Sequence, residues 1–86
     1  MIPLYGFLEG DTLGLLLLAD ETETVASLAA KLQQSSRLRV APRDEVLVVH
    51  RGLILDPSRL VGESKLEPLE RIDVIAVRPD PAGGAA

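Results

Sequence analysis

The sequence predicts an α+β domain, a mixed sheet of four to five strands with one helix packed across one face. Three observations point there. Only one stretch, Val25, Leu28, Ala29 and Leu32, repeats apolar residues at i, i+3, i+4 and i+7. Short apolar runs rich in Leu, Val and Ile stand before and after it, and Gly, Pro and Asp mark the turns between them. A helix with a single apolar stripe needs one sheet face to bury it, and the other sheet face is then left over.

Ile2–Leu8 reads as the first strand, with Pro3 suggesting that its first residues lie outside the ladder. Glu9-Gly10-Asp11 is a turn, since Gly takes positive φ freely and Asp tolerates it. Thr12–Ala19 completes a hairpin. Thr24 is the expected N-cap of the helix, and Asp20, Glu21 and Glu23 sit at its positive end. Helix capping, rather than metal binding, is the preferred account of this acidic trio. The helix fades through Gln33-Gln34-Ser35-Ser36 into the loop "RLRVAPRDE". Val46–His50 is the third strand, Gly52 its turn and Leu53–Leu55 a short fourth strand. After the turn Asp56-Pro57-Ser58, Leu60–Leu66 has room for a single helical turn, and Ile72–Val77 is the last strand. Residues 1–78 form the domain, and 79–86, the Pro/Gly/Ala tail, are expected to be disordered. Strand, strand, helix, strand, short strand, helical turn, strand is the order of a β-grasp, or ubiquitin-like, fold.

At 86 residues, with 47% hydrophobic but only 2% aromatic residues, the core must be built from Leu, Val, Ile and Ala. The net charge of −4 argues against general nucleic-acid binding. The lack of cysteine removes thiolate chemistry and Cys-based zinc sites and fits a reducing compartment. Neither a secretion signal nor an apolar run long enough to span a bilayer is visible, so a cytoplasmic location is expected, with no membrane partner. The acids Glu9 to Glu23 precede the bases Arg37, Arg39, Arg43 and Arg51, which suggests a bipolar domain that a charged partner could orient.

Groups able to converge on a reaction are few. His50 is the only histidine, and alternation puts it on the face of Val46 and Val48 as a structural residue. The serines belong to no nucleophile motif, and "GDTLG" lacks the spacing of a phosphate loop. No catalytic, cofactor-binding or metal-binding residue is assigned, and no cofactor is expected. What remains is surface. The stretch "TLGLLLLAD" has leucine at every parity. With Leu13, Leu15, Leu17 and Ala19 assigned inward, Leu16 and Leu18 point away from the helix. The same parity sends Leu47 and Val49 outward on the third strand, and Ile75 and Val77 on the last. A contiguous patch of this kind marks an interface. Burying roughly 300 Å² of it is worth on the order of 7 kcal/mol before the costs of association. These six residues, with Arg37, Arg39 and Arg43 of the basic loop, are the candidate protein interface.

"VAPRDEVLVV" (Val40–Val49) and "ESKLEPLERIDV" (Glu63–Val74) resemble the small gamma subunit of the toluene monooxygenase hydroxylases, relatives of the alkene and isoprene monooxygenases. The likeness extends through "DTLGLLLLADETETVASLAAKL" and covers about Pro3 to Val77. It implies a ubiquitin-like, non-catalytic subunit that docks on the large subunit, where the carboxylate-bridged diiron site activates O2. It gives this chain no metal ligand. A rival expectation comes from Gly83-Gly84, which follow the last strand as in ubiquitin-like modifiers. On that reading the tail, freed of Ala85-Ala86, is threaded into activating and conjugating (E1- and E2-like) enzymes.

Overall fold

The first hairpin sets the frame. The computed structural model describes residues 1–77, and in it β1 (Ile2–Leu8) and β2 (Gly14–Ala19) pair antiparallel in unbroken register from Ile2↔Ala19 to Phe7↔Gly14. Gly10 turns the chain at φ +92°. The Asp11 carboxylate then accepts the Leu13 N–H at 3.2 Å, which holds Leu13 in the turn. β2 therefore begins at Gly14 rather than Thr12, and Leu13 is 49% exposed instead of facing the helix. Pro3 lies within β1, paired with Leu18, which corrects the expectation that it stands outside the ladder. It is tolerated because its missing N–H points toward the other neighbouring strand, whose ladder with β1 starts only at Tyr5.

The helix α1 spans Val25–Ser35. Thr24 caps it as the sequence indicates, its hydroxyl accepting the Ser27 N–H at 3.1 Å. Glu23 lies just before the cap and accepts from the Asp20 N–H, the Ser27 hydroxyl and the Lys31 ammonium. Two further amides at the helix start, Val25 and Ala26, donate to the carbonyls of Arg59 and Pro57, so a distant loop finishes the cap.

β3 (Val46–His50) and β4 (Leu53–Ile54) are joined through Arg51-Gly52, both at positive φ (+53° and +77°), the conformation that lets a two-residue loop follow the strand twist. The expected helical turn is a short 3₁₀ helix, Val61–Glu63, and β5 runs over Arg71–Ala76. Across the sheet the order is β2-β1-β5-β3-β4. β1 and β5 are parallel and every other pairing is antiparallel.

One face of this sheet meets α1. Leu4 and Leu8 of β1, Leu17 and Ala19 of β2, Val48 of β3, and Ile72 and Val74 of β5 enclose Val25, Leu28, Ala29 and Leu32. Helix and sheet approach closely over Gly6, where an added Cβ would come within 2.9 Å of Leu17 Cδ1 and 3.2 Å of Leu32. Truncating Leu28, which is fully buried, to Ala should cost about 2–5 kcal/mol of unfolding free energy. The same change at Leu38, 91% exposed, should stay within about 0.5 kcal/mol, as urea titrations of the two variants will show.

Candidate functional site

The opposite face of the sheet is the candidate protein interface. Its outward side chains follow from the register. Leu16 and Leu18 come from β2, Pro3, Tyr5 and Phe7 from β1, Arg71, Asp73 and Ile75 from β5, and Leu47 and Val49 from β3. Leu16 and Leu18 are 58% and 56% exposed, while Leu47, Val49 and Ile75 are half-buried against one another. Val77 lies one residue beyond β5, exposed, its N–H donating to the Glu45 carbonyl.

The parity expected for β2, β3 and β5 is what the strands adopt, but the expected single patch is divided. β1 and β5 stand between β2 and β3, and at about 4.8 Å per strand they part the two leucine-bearing strands by roughly 14 Å. Between the two clusters runs a polar rib. Arg71 donates to both Asp73 oxygens at 2.8–3.2 Å, and its guanidinium carbon lies 4.0 Å from the centroid of the Phe7 ring. Phe7 in turn covers Gly14 so closely that a Cβ there would fall 2.5 Å from the ring. Tyr5, Phe7 and, on β4 opposite Val49, the exposed Ile54 are surface residues that sequence reasoning missed. The signal was present, since Leu4 and Leu8 inward oblige Tyr5 and Phe7 to face out.

The basic loop behaves differently from a free cationic arm. Arg39 Nε sits 3.0 Å from each oxygen of Asp11, Arg43 Nη1 donates to the Glu9 carbonyl at 2.8 Å, and Arg37 Nη1 donates to the Gln34 carbonyl at 2.8 Å. The Arg39 guanidinium holds the Asp11 carboxyl below its ordinary range, and the Leu13 N–H assists. Buried Gln33 closes the loop from below, donating to the Arg43 carbonyl and accepting the Arg43 N–H at 2.7 Å. Acidic and basic segments that lie apart in sequence thus meet around the Gly10 turn, so their separation along the chain does not become two charged poles at that end.

His50 is 8% exposed at the end of β3, facing inward with Val46 and Val48. Its Nε2 stands 3.1 Å from Glu70 Oε2, off the line of a hydrogen bond, while Arg51 Nε donates to that oxygen at 2.8 Å. Glu70 Oε1 accepts the Glu67 N–H at 2.8 Å. That backbone bond, with His50 and Arg51 adding to it, brings the Glu70 carboxyl down from 4.5 to about 2. The cluster ties the β3–β4 turn to the entry of β5, where Leu69 is held at φ +66° by donating to the Pro3 carbonyl at 2.6 Å. Among the described residues no group of three or more His, Cys, Asp or Glu could hold a metal ion, and no helix is long and apolar enough to cross a membrane. Gly83 and Gly84 lie outside the described residues.

The topology and the single packed helix define a ubiquitin-like β-grasp domain of α+β class. Within that class the chain belongs to the family described as toluene-4-monooxygenase system protein B (TmoB), whose family model matches residues 1–75. Among solved structures it is similar to a chain of the toluene 4-monooxygenase HD complex with the inhibitor 4-bromobenzoate. The two share 28% identity over 88% of this chain and 98% of that one, with a TM-score of 0.81. It also resembles a ubiquitin of Caldiarchaeum subterraneum, with 14% identity, 91% and 95% coverage and a TM-score of 0.74. A chain from a structure concerned with molecular mimicry of SUMO in DNA repair follows, with 22% identity, 85% and 88% coverage and a TM-score of 0.65. At such identities the last two speak for the fold alone. No curated protein sequence matches the chain.

Glu70 binds its proton less readily in the folded chain than in the unfolded one. Its contribution to stability is therefore complete above pH 4.5 and is lost as the pH falls toward about 2. Urea midpoints measured across that window should decline for the native sequence and decline less for Glu70→Gln.

Proposed function

We propose that this chain is a non-catalytic small subunit of a bacterial multicomponent hydrocarbon monooxygenase, which stabilises the hydroxylase by docking on its large, diiron-bearing subunit. The observation that carries this is the family match across residues 1–75, together with the likeness to a chain of a toluene 4-monooxygenase complex. The chemistry of the chain agrees with a role in assembly. Asp11, Asp20, Glu23, Asp56 and Glu70 are all engaged in turns, caps or ion pairs, and the one histidine is buried. In this reading the reacting metal centre belongs to the partner, and this chain contributes binding area and rigidity.

The docking surface is the sheet face opposite α1: Leu16 and Leu18 with Tyr5 at one end, Leu47, Val49 and Ile75 with Val77 at the other. Arg37 reaches the partner at the margin, while Arg39 and Arg43 act by holding the loop in place. A cytoplasmic location follows from the same assignment. At an interface fewer than about 30% of residues cost more than about 1 kcal/mol when truncated, and these lie near its centre, whereas a charge placed there is left buried and unpaired.

Leu16→Asp and Val49→Asp should each weaken co-purification with the hydroxylase by about tenfold or more, with unchanged far-ultraviolet circular dichroism. Normal assembly of both variants would remove this face from consideration. Deleting Pro79–Ala86 should leave assembly intact, whereas loss of assembly on that deletion would point to the tail.

A further inference from the structure

The β2 strand forms one border of the sheet, and nothing among the described residues pairs with its outer side. The direction of its backbone groups is fixed by two observations. Tyr5 donates to Glu70 and the Pro3 carbonyl accepts from Leu69, so at these residues β1 bonds toward β5. Their partners across the hairpin, Leu16 and Leu18, therefore occupy the positions whose N–H and C=O point away from β1. The Leu18 carbonyl agrees, because the Lys31 ammonium bonds it from the open side at 2.7 Å. Lys31 satisfies that one acceptor and leaves the Leu16 N–H and C=O and the Leu18 N–H facing outward.

Sheets commonly guard such a border with a charge, a proline, a bulge or brevity. β2 itself supplies none of these, being six residues of Gly, Leu and Ala in unbroken register, and the one charge at the border, Lys31 of α1, covers only the Leu18 carbonyl. The opposite border is guarded by its length, since β4 is only two residues long. Beside β2 runs a groove lined by Leu17 and by Ser27, Ala30, Lys31 and Gln34 of α1, where the short Ser27 and Ala30 side chains leave room for a neighbour.

We propose that β2 is a strand-addition seam: an extended, apolar segment of the large hydroxylase subunit, bracketed by Lys or Arg, pairs with it as a sixth strand. Alternate side chains of that segment fall into the groove against α1 and onto the exposed Leu16–Leu18 face. Main-chain bonds supply the affinity and the two side-chain rows supply the selectivity. Charge selects this occupant over a second copy of the chain. β2 is bordered by Asp20 and Glu21 at one end and by the Glu9-Gly10-Asp11 turn at the other. A parallel β2–β2 pair sets the exposed Asp20 and Glu21 of the two copies side by side, and an antiparallel pair still brings together two copies that each carry −4. Basic residues flanking a foreign strand relieve that repulsion.

The seam deepens the docking role proposed above and rests on it, and residue-resolved amide exchange separates the two. The isotope-labelled chain is exchanged alone and in the assembled hydroxylase, quenched, and read by NMR. In the complex the Leu16 and Leu18 amides should slow about 100-fold or more, while Leu15 and Leu17, already bonded to β1, change little. A complex that forms with those two amides still exchanging freely overturns the seam and leaves face docking standing. Failure to form a complex overturns both. Protection that appears in the isolated chain and grows with its concentration assigns the border to self-pairing and overturns the hydroxylase segment as occupant.

Discussion

The packing of one amphipathic helix over one sheet face is the constraint on which the rest of this molecule depends. Val25, Leu28, Ala29 and Leu32 constitute the whole apolar stripe of α1, and they are spent against Leu4, Leu17, Ile72 and Val74. Among the described residues no second layer covers the other side of the sheet. A domain of this size buries only about 60–65% of the surface that its unfolded chain exposes, so apolar residues left outside the core are a sizeable share of the total. Because the core contains no aromatic ring, its fit relies on aliphatic shape, and Gly6 allows the helix to come close enough for that fit.

Around that core the polar groups act mainly as fasteners. Asp20 and Asp56 each accept the N–H and hydroxyl of the residue two positions on, a local way of closing a turn, and both carboxyls are held below their ordinary range by those bonds. Gln33 and the Arg39–Asp11 pair fix the long connection between α1 and β3. Arg43 fixes it from the other side through the Glu9 carbonyl. Glu70 performs the equivalent task at the far end of the sheet. Groups that could have been read as catalytic or as partner-seeking are thus largely engaged in holding loops.

The element order, the helix with its Thr24 cap, the β3–β4 turn and the inward sets of β3 and β5 were legible because each rests on local rules of spacing and turn chemistry. The start of β2 was not. Thr12 and Leu13 continue the apolar run, and only the Asp11 side chain, by bonding the Leu13 amide, delays the strand. Leu16, Leu18, Leu47, Val49 and Ile75 face outward as expected, whereas Val77 lies beyond β5 in a hollow it shares with Ala26 and Gln33 of α1. The division of the outward set into two clusters depends on β5 inserting beside β1, a long-range pairing that no local pattern encodes. The destination of the arginines was equally non-local: Arg39 and Asp11 are 28 residues apart. The fold and the identity of the exposed face could therefore be read from sequence, whereas which charges remained available to a neighbour could not.

The outer position of Tyr5 gives the chain an optical property of its own. The sequence has a single tyrosine and no tryptophan, and that tyrosine stands on the outward face directly across the hairpin from Leu16. Its phenol is the sole source of near-ultraviolet emission apart from one phenylalanine, and it sits on the face proposed for docking. The molecule thus carries an intrinsic fluorophore on the surface in question, so covering that surface can be followed without attaching a dye.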